Sequence, residues 1–287
     1  AFINSSKFKL LSFIFIFIIL VIFDKFHSPA QVKTITFINL FLRILTGIAL
    51  FLLLPIWGYE AEPPQAGYLY LDAYRRDNDA WQIASTHGSI LSSFRDEFYT
   101  DQYGGMLALS AAIYRIFSPD AHRPTLILLL TSFISTLGIP FYWQALNERF
   151  NRKIAYLACW ILALYPESVI LGGSQMREPL IIGLSGIVIW GLERFKKDKR
   201  SGISILLLSM LMLTLISSLY SAAIFFLIVL WIWFDRSALG AETKPWIWRY
   251  LPAALIVIVG FFLSWRWLVD ASSWDLYVME SSSGRVQ

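Results

Sequence analysis

One short segment between long apolar stretches concentrates the residue types that transfer protons and bind phosphate. It contains the acids Asp72, Asp77 and Asp79 together with Arg75 and Arg76. A carboxylate can accept a proton from an attacking hydroxyl, and an arginine can bind a phosphate through two parallel hydrogen bonds. An ion-paired surface helix is the structural alternative, and such pairs contribute little. Charges at this density beside a membrane favour a functional role.

The spacing of the segment predicts a helix from Asp72 to Ser85, which must position these side chains. Its helical periodicity is carried by Asp77, Ala80, Trp81 and Ala84. The side chains within pairing distance of one another on such a helix are Asp72, Arg75, Arg76 and Asp79. Asp77 points in another direction, toward whatever faces the following loop.

Two other places on the chain are candidate binding positions. Asp101 precedes Gly104-Gly105, where it can present a ligand to a cation or a hydroxyl, or serve as an ordinary cap or turn residue. Arg177 lies in a connection predicted to be on the outer side of the membrane, where basic residues are disfavoured. This makes it a candidate phosphate ligand. Glu178 precedes a proline that begins a helix, a position where an acid also suits the helix dipole.

Several other kinds of site are excluded by the sequence or not indicated by it. Cys159 is the single cysteine, so intramolecular disulfides and thiolate metal sites are excluded. His87 and His122 lack metal-ligand spacing, and we interpret both as surface residues. The sequence contains neither a nucleophile elbow nor a glycine-rich phosphate loop. It also lacks a basic stretch interleaved with aromatic residues, so nucleic acid is not an expected partner. No metal site is predicted, although a divalent cation is left open as a cofactor.

The composition is that of a membrane protein. Hydrophobic residues make up 57% of the 287 residues and charged residues 15%, against about a quarter in soluble domains. Eight apolar runs are candidate spans of a bilayer core. They cover residues 10–23, 35–57, 124–146, 154–171, 179–192, 203–217, 219–234 and 250–268. We predict an all-α polytopic membrane protein with about eight transmembrane helices and a partly helical outer loop.

Basic residues predict the orientation of these spans. The connections at 148–153, 194–200 and 235–249 are basic and fall on one side, the cytoplasmic side, if each span from residue 124 onward crosses once. The predicted regions are N-terminal transmembrane helices (1–57), an outer catalytic loop (58–123), a transmembrane bundle (124–268) and an outer tail (269–287). We expect this tail to continue into a further C-terminal region.

Two local features refine this organisation. Residues 106–117 predict an amphipathic helix lying along the membrane, whose apolar set is Leu107, Ile113, Ile116 and Phe117. Residues 203–234 are too long for one span. We predict a break at 217–221, which forms either a tight hairpin or a re-entrant pair.

Several motifs together resemble those of the GT-C glycosyltransferases. They are DND at 77–79, DQYGG at 101–105, RIFSP at 115–119, NERFNRK at 147–153, ALYP at 163–166 and GSQMREPL at 173–180. The likeness is greatest to the protein mannosyltransferase-like members (family 39-like), which include bacterial aminoarabinose transferases acting on lipid A. It covers roughly residues 59–195.

The resemblance implies an integral enzyme of the bacterial cytoplasmic membrane whose active site faces outward. Such an enzyme transfers a sugar from a polyprenyl-phosphate donor to a hydroxyl of a protein, lipid or glycan, with inversion. The family's essential acid in the first outer loop corresponds to Asp77 or Asp79, and we favour Asp77 as the general base. Expected substrate-binding residues are Arg75, Arg76, Asp101, Arg177 and Glu178. Family members often carry His and Pro at the positions of residues 102–105 in this chain. Because of this difference, the resemblance does not fix the substrate class or the need for a metal.

Three other functions are compatible with the sequence. A polysaccharide polymerase or ligase would use a larger lipid-linked donor at the same membrane face. A transporter of a lipid-linked substrate would place charges along its spans, where Arg43 is the only deep basic residue. A scaffold subunit would tolerate neutralisation of Asp77 and Asp79.

Overall fold

A computed structural model describes residues 6–58, 60–86, 89–94 and 104–234, with backbone only at 6–9 and 232–234. Most of those residues are helical, and no strand occurs among them, which confirms the all-α prediction. The chain divides into two compact units, Ala1–Ala222 and Ala223–Gln287. The second unit is described only as far as residue 234. The site and the contacts below belong to the first unit.

Ten α-helices follow one another along the described residues. Within the described ranges they are α1 (Ser6–Lys25), α2 (Ala30–Trp57), α3 (Leu71–Ser85), α4 (Gly105–Phe117), α5 (Thr125–Arg149), α6 (Arg152–Leu164), α7 (Pro166–Gly173), α8 (Glu178–Lys197), α9 (Lys199–Ile216) and α10 (Ser218–Phe234). Short 3₁₀ helices occupy Pro64–Ala66 and Ile90–Phe94. The prediction of a helix at Asp72 to Ser85 is confirmed by α3.

Three of the described helices, α2, α5 and α9, are long and apolar enough to cross a membrane. Helices α6 and α7 form a fourth such span if the pair, bent by 49°, is counted as one. The protein is therefore a helical membrane protein with three to four candidate spans. Helices also lie at the predicted spans 10–23, 179–192 and 219–234, whereas 250–268 lies outside the described residues. The count of about eight stays a prediction.

The bend between α6 and α7 has a sequence cause and a polar partner. Tyr165 leaves the helical region with φ −59° and ψ 115°, and Pro166 then starts α7. A helix end inside a bilayer must have its carbonyl groups satisfied by other protein groups. Asn39 of α2 does this for α6, because its Nδ2 donates to the carbonyl of Ala163 at 3.0 Å.

Arg43, one turn after Asn39, completes a buried polar group in the bundle. Its guanidinium donates to the carbonyl and, at 2.7 Å, to the hydroxyl of Ser168 in α7. Its Nε donates to Asn39 Oδ1, which also accepts from Thr136 of α5. We call Asn39, Arg43, Thr136 and Ser168 the Arg43 centre. It joins α2, α5 and α7, and Arg43 is only 1% exposed.

Ion pairs place the two described basic turns at one end of the bundle. Lys197 Nζ lies 2.8 Å from Glu148 Oε2, and Arg149 Nη1 lies 3.2 Å from Glu193 Oε1. These pairs join the last turns of α5 and α8, so the two helices run in the same direction, and α6 with α7 brings the chain back. The third basic connection, 235–249, lies outside the described residues.

The helix predicted at residues 106–117 is confirmed by α4. Of its predicted apolar set, Leu107 is buried, Ile113 and Phe117 are partly buried, and Ile116 is 64% exposed. The buried face of α4 also carries Tyr114, which follows Leu107 by seven residues. Two helical turns separate these positions, so they share a face. The predicted break at 217–221 is confirmed, since α9 ends at Ile216 and Ser217 has an extended backbone.

Candidate functional site

Asp77 is the buried acid of α3. Ala73, Ala80 and Ala84 place small side chains on the same face of the helix, which allows α3 to pack closely on α4. Asp77 is thereby carried into the interior and is only 3% exposed. Asp72, five residues earlier, is exposed. A buried carboxylate is costly unless hydrogen-bond donors surround it.

Both oxygens of Asp77 receive hydrogen bonds. Tyr68 Oη donates to Oδ2 at 2.5 Å, and Tyr114 Oη donates to Oδ1 at 2.6 Å. His122 Nε2 lies 2.7 Å from Oδ2. The donors come from the segment before α3, from α4 and from the loop before α5, so the carboxylate joins three parts of the chain. We call Tyr68, Asp77, Trp81, Tyr114 and His122 the Asp77 cluster.

Aromatic packing fixes the imidazole of His122. It stacks on Trp81, with ring centroids 5.6 Å apart and an interplanar angle of 16°. Tyr114 meets it edge to face at 5.3 Å. The loop that carries it is held by Ser118, whose Oγ donates to the carbonyl of Ala121 and accepts from Arg123 Nη1. The ring is therefore oriented before any substrate arrives.

Burial and the negative charge of the cluster keep its two tyrosines protonated. The pKa of Tyr68 is raised first by burial and then by the charge of Asp77. The same causes, in the same order, raise the pKa of Tyr114 well above its usual value. Both hydroxyls therefore act as donors at neutral pH.

Arg76 links α3 to the start of α8. It is 4% exposed, and its Nη2 donates to the carbonyl of Gln175 at 2.7 Å. Gln175 has a positive φ of 57°, and its Nε2 donates to the carbonyl of Pro124 at 3.1 Å. A non-glycine residue in this backbone region indicates that its surroundings hold it there. The start of α5 and the residues before α8 therefore meet beside α3.

The other predicted site residues of α3 and α8 are more accessible. Arg75 is exposed, and Asp79 is half-buried two residues after Asp77. Arg177 immediately precedes α8, and its Nε lies 3.8 Å from Oε1 of Glu178. Both residues of this pair are half-buried. Arg177 lies two residues beyond Gln175, so the contact of Arg76 with Gln175 brings both arginines to the same end of the bundle.

An apolar cavity of about 650 Å³ borders the site. This volume is within the range of roughly 300–1,000 Å³ for small-molecule sites. Its wall consists mainly of aliphatic and aromatic side chains of α1, α2 and α5, among them Phe15, Leu40, Ile44, Phe51, Leu128 and Phe133. Tyr68 and Gln175 also line it. Tyr68 donates to Asp77, and the backbone carbonyl of Gln175 accepts from Arg76, so one residue separates the cavity from each of the two charged groups.

The structure thus separates the predicted site residues into groups. Asp77 and Arg76 are buried beside the cavity, and Arg177 and Glu178 lie at the same end. Asp101 lies outside the described residues, as does His87. Across the described ranges, no three His, Cys, Asp or Glu side chains come together in a way that could hold a metal ion.

Sequence reasoning missed three members of the Asp77 cluster. His122 is not a plain surface residue, since it contacts Asp77 from 45 positions away. No spacing in the sequence predicts that contact. Tyr114 had a usable signal, because Leu107, Ala111 and Tyr114 recur at helical spacing. Tyr68 precedes α3 in a Pro- and Gly-rich segment, where no pattern indicates its direction.

Comparisons of the chain with protein-family models, with curated proteins and with solved structures found no match. The resemblance to GT-C glycosyltransferases therefore rests on the motifs of the sequence.

Proposed function

We propose that the protein is a glycosyltransferase that moves a sugar from a polyprenyl-phosphate donor to an acceptor hydroxyl, with inversion. One observation carries this proposal: Tyr68 is shared between a large apolar cavity and a buried carboxylate. A lipid-linked substrate needs an apolar surface for its chain and a polar centre for its reacting head. The two occur side by side here, at the end of a membrane bundle.

The arginines at this end suit the phosphate of the donor. Arg76 and Arg177 can neutralise the charge that builds up on the phosphate as it leaves. Arg75 is exposed on the same helix and can contact the head group from outside. Glu178 and Asp101 complete the proposed substrate-binding set, and they are suited to sugar hydroxyls rather than to phosphate.

The reaction proceeds by displacement at the anomeric carbon. The acceptor oxygen forms a bond to that carbon on the face opposite the phosphate. The bond from the carbon to the phosphate oxygen breaks, and the lipid phosphate leaves with the bonding electrons. The proton of the acceptor passes to a base of the Asp77 cluster, a transfer that the negative charge of Asp77 favours, and half-buried Asp79 is the second acid proposed for catalysis. Fixed positions and charges supply most of the acceleration.

The proposed location is the outer face of a bacterial cytoplasmic membrane. The ends of α5 and α8 carry the basic turns, and basic connections mark the cytoplasmic side. The starts of the same helices lie beside Arg76 and Gln175 at the opposite end. This arrangement supports a site that faces outward, where polyprenyl-phosphate sugars and their acceptors meet.

Transfer of radiolabel from polyprenyl-phosphate sugars in membranes that carry the protein tests this function. We expect Asp77→Asn to lower transfer about 10²–10⁴-fold, the usual range for loss of general acid–base catalysis. Asp72→Asn is the matched control, since it removes an exposed acid from the same helix and should leave transfer unchanged. Arg177→Ala should raise the KM for the donor or slow loss of the phosphate.

The donor series separates the proposal from its rivals. Label that moves only from an oligosaccharide-lipid would make the protein a polymerase or ligase. Lipid-linked sugar that crosses the membrane without a new bond would make it a transporter. Absence of transfer with every donor, together with normal folding of the wild type, would overturn an enzymatic role.

A further inference from the structure

We propose that His122, and not Asp77, is the residue that takes the proton from the acceptor hydroxyl. Asp77 acts behind it as a positioning residue. The inference rests on the proposed transferase function and assigns its proton-accepting atom. Four observations about the Asp77 cluster carry it.

An acceptor hydroxyl cannot approach Asp77 directly, because the carboxylate oxygens are already enclosed by hydrogen-bond donors. In the described structure, Oδ1 accepts from Tyr114, and Oδ2 accepts from both Tyr68 and His122. The Asp77 side chain is only 2% exposed. A base must come within about 2.6–3.2 Å of the proton it removes, directly or through one water. A hydroxyl could reach Asp77 only by displacing one of these three donors.

His122 is accessible where Asp77 is not. Its side chain is 26% exposed, although its Nε2 points to the buried carboxylate. Its other ring nitrogen, Nδ1, makes no hydrogen bond to another described residue. The imidazole thus contacts the buried acid and is itself partly exposed.

The surroundings of the ring determine which nitrogen is basic. A carboxylate only accepts hydrogen bonds, so Nε2 must carry the hydrogen that is shared with Asp77. In the neutral ring, Nδ1 then holds the lone pair. Stacking on Trp81 and the edge of Tyr114 prevent the ring from turning. Asp77 therefore leaves Nδ1 as the free base and stabilises the positive charge that appears when Nδ1 is protonated.

The step is balanced without any further reactant. The acceptor oxygen bonds to the anomeric carbon as its proton passes to Nδ1 of His122. The lipid phosphate departs with the electrons of the broken bond. The imidazolium is held beside Asp77 until Nδ1 releases its proton to water.

The alternative is that His122 has only a structural role, as one of the hydrogen-bond partners of the buried Asp77. Added imidazole distinguishes the two roles, because it can replace a missing base but not a structural contact. His122→Ala removes the ring and leaves its space between Trp81 and Asp77. If His122 supplies the base, its alanine variant should lose about 10²–10⁴-fold in kcat with a small change in KM, and added imidazole should restore part of the rate. Asp77→Asn should lose activity but not respond to imidazole.

A second measurement does not depend on the folding of a cluster variant. The chain has three histidines, so His122 is the only one left in a His27→Gln/His87→Gln protein. Diethylpyrocarbonate acylates accessible imidazole nitrogens. Transfer by this protein should fall in step with modification of His122 and return with hydroxylamine. His27→Gln alone is the matched control, since His27 is exposed in the turn between α1 and α2.

The outcomes separate this inference from the proposed function. If the His122→Gln variant, or the protein with His122 fully modified, transfers sugar at the wild-type rate, the inference is wrong. The proposed transferase function would then still stand. Loss of transfer without imidazole rescue and without sensitivity to diethylpyrocarbonate would make His122 structural. A wild type that shows no transfer with any lipid-linked donor would refute the proposed function itself.

Discussion

The molecule buries two charged groups in different ways, at Asp77 and at Arg43. Asp77 is satisfied by side chains alone, and one of these, His122, is partly exposed. Arg43 is satisfied by Asn39 and by the hydroxyl and backbone carbonyl of Ser168, where a helix is broken. The first arrangement lies beside a cavity, whereas the second lies between packed helices.

We propose that this difference separates a group used in catalysis from one that holds the fold together. The side chains around Asp77 include a partly exposed ring, His122, so that a change in charge can be passed outward. Arg43 donates to the backbone carbonyl and the hydroxyl of Ser168, so it ties α2 to the helix that follows the bend between α6 and α7. Its engagement with Ser168 also argues against a role as a transport charge.

Replacement of Arg43 should have the largest effect on stability. Arg43→Met keeps much of the apolar stem but leaves both Ser168 oxygens without their donor. Each unsatisfied buried acceptor costs about 1–3 kcal/mol. We expect a marked fall in Tm in detergent, while the fraction that folds transfers sugar at the wild-type rate. A stable Arg43→Met protein without activity would remove the distinction between the two regions.

Tyr114→Phe should show the opposite pattern. It removes one donor to Asp77 and keeps the aromatic ring that contacts His122. Hydrogen bonds to charged groups contribute about 1.5–3 kcal/mol. The rate of transfer should fall more than the loss of folded protein explains, and Tyr68→Phe should act in the same direction. Kinetics scaled to folded protein measure this, and unchanged kcat in both variants would place the tyrosines outside the site.

Gly172→Ala tests the packing of α7 on Arg43. A Cβ at this position would lie 2.1 Å from Arg43 Nη1, so the guanidinium would have to move away from Ser168. Overpacking of this kind costs about 1–3 kcal/mol. We expect a lower Tm and, as with Arg43→Met, an unchanged rate per folded molecule. An unaltered Tm would mean that the guanidinium has another stable position.

Asp72→Asn should have the smallest effect and sets the baseline for the comparison. Asp72 is exposed in the first turn of α3, and surface substitutions usually change stability by less than about 0.5 kcal/mol. Transfer rate and Tm should both match the wild type. A large loss of activity here would mean that the exposed face of α3 also contacts substrate.

The sequence could predict elements whose signal is local. The helix at α3 follows from the spacing of Asp77, Ala80 and Ala84, and the proline after Glu178 correctly marks the start of α8. The contact of Asp77 with His122 could not be predicted, because it depends on how α4 and the loop after it fold back. The predicted apolar set of α4 did not include Tyr114, which lies on the buried face of this helix.

The sequence by itself determined that the chain is helical and enters a membrane, since apolar runs and helical periodicity are properties of neighbouring residues. It also singled out Asp77 as the acid directed away from its charged neighbours. Only the tertiary structure decided that Asp77 is enclosed by Tyr68, Tyr114 and His122. Hydrogen bonds between residues far apart along the chain depend on how the helices pack, and packing leaves no period in the sequence.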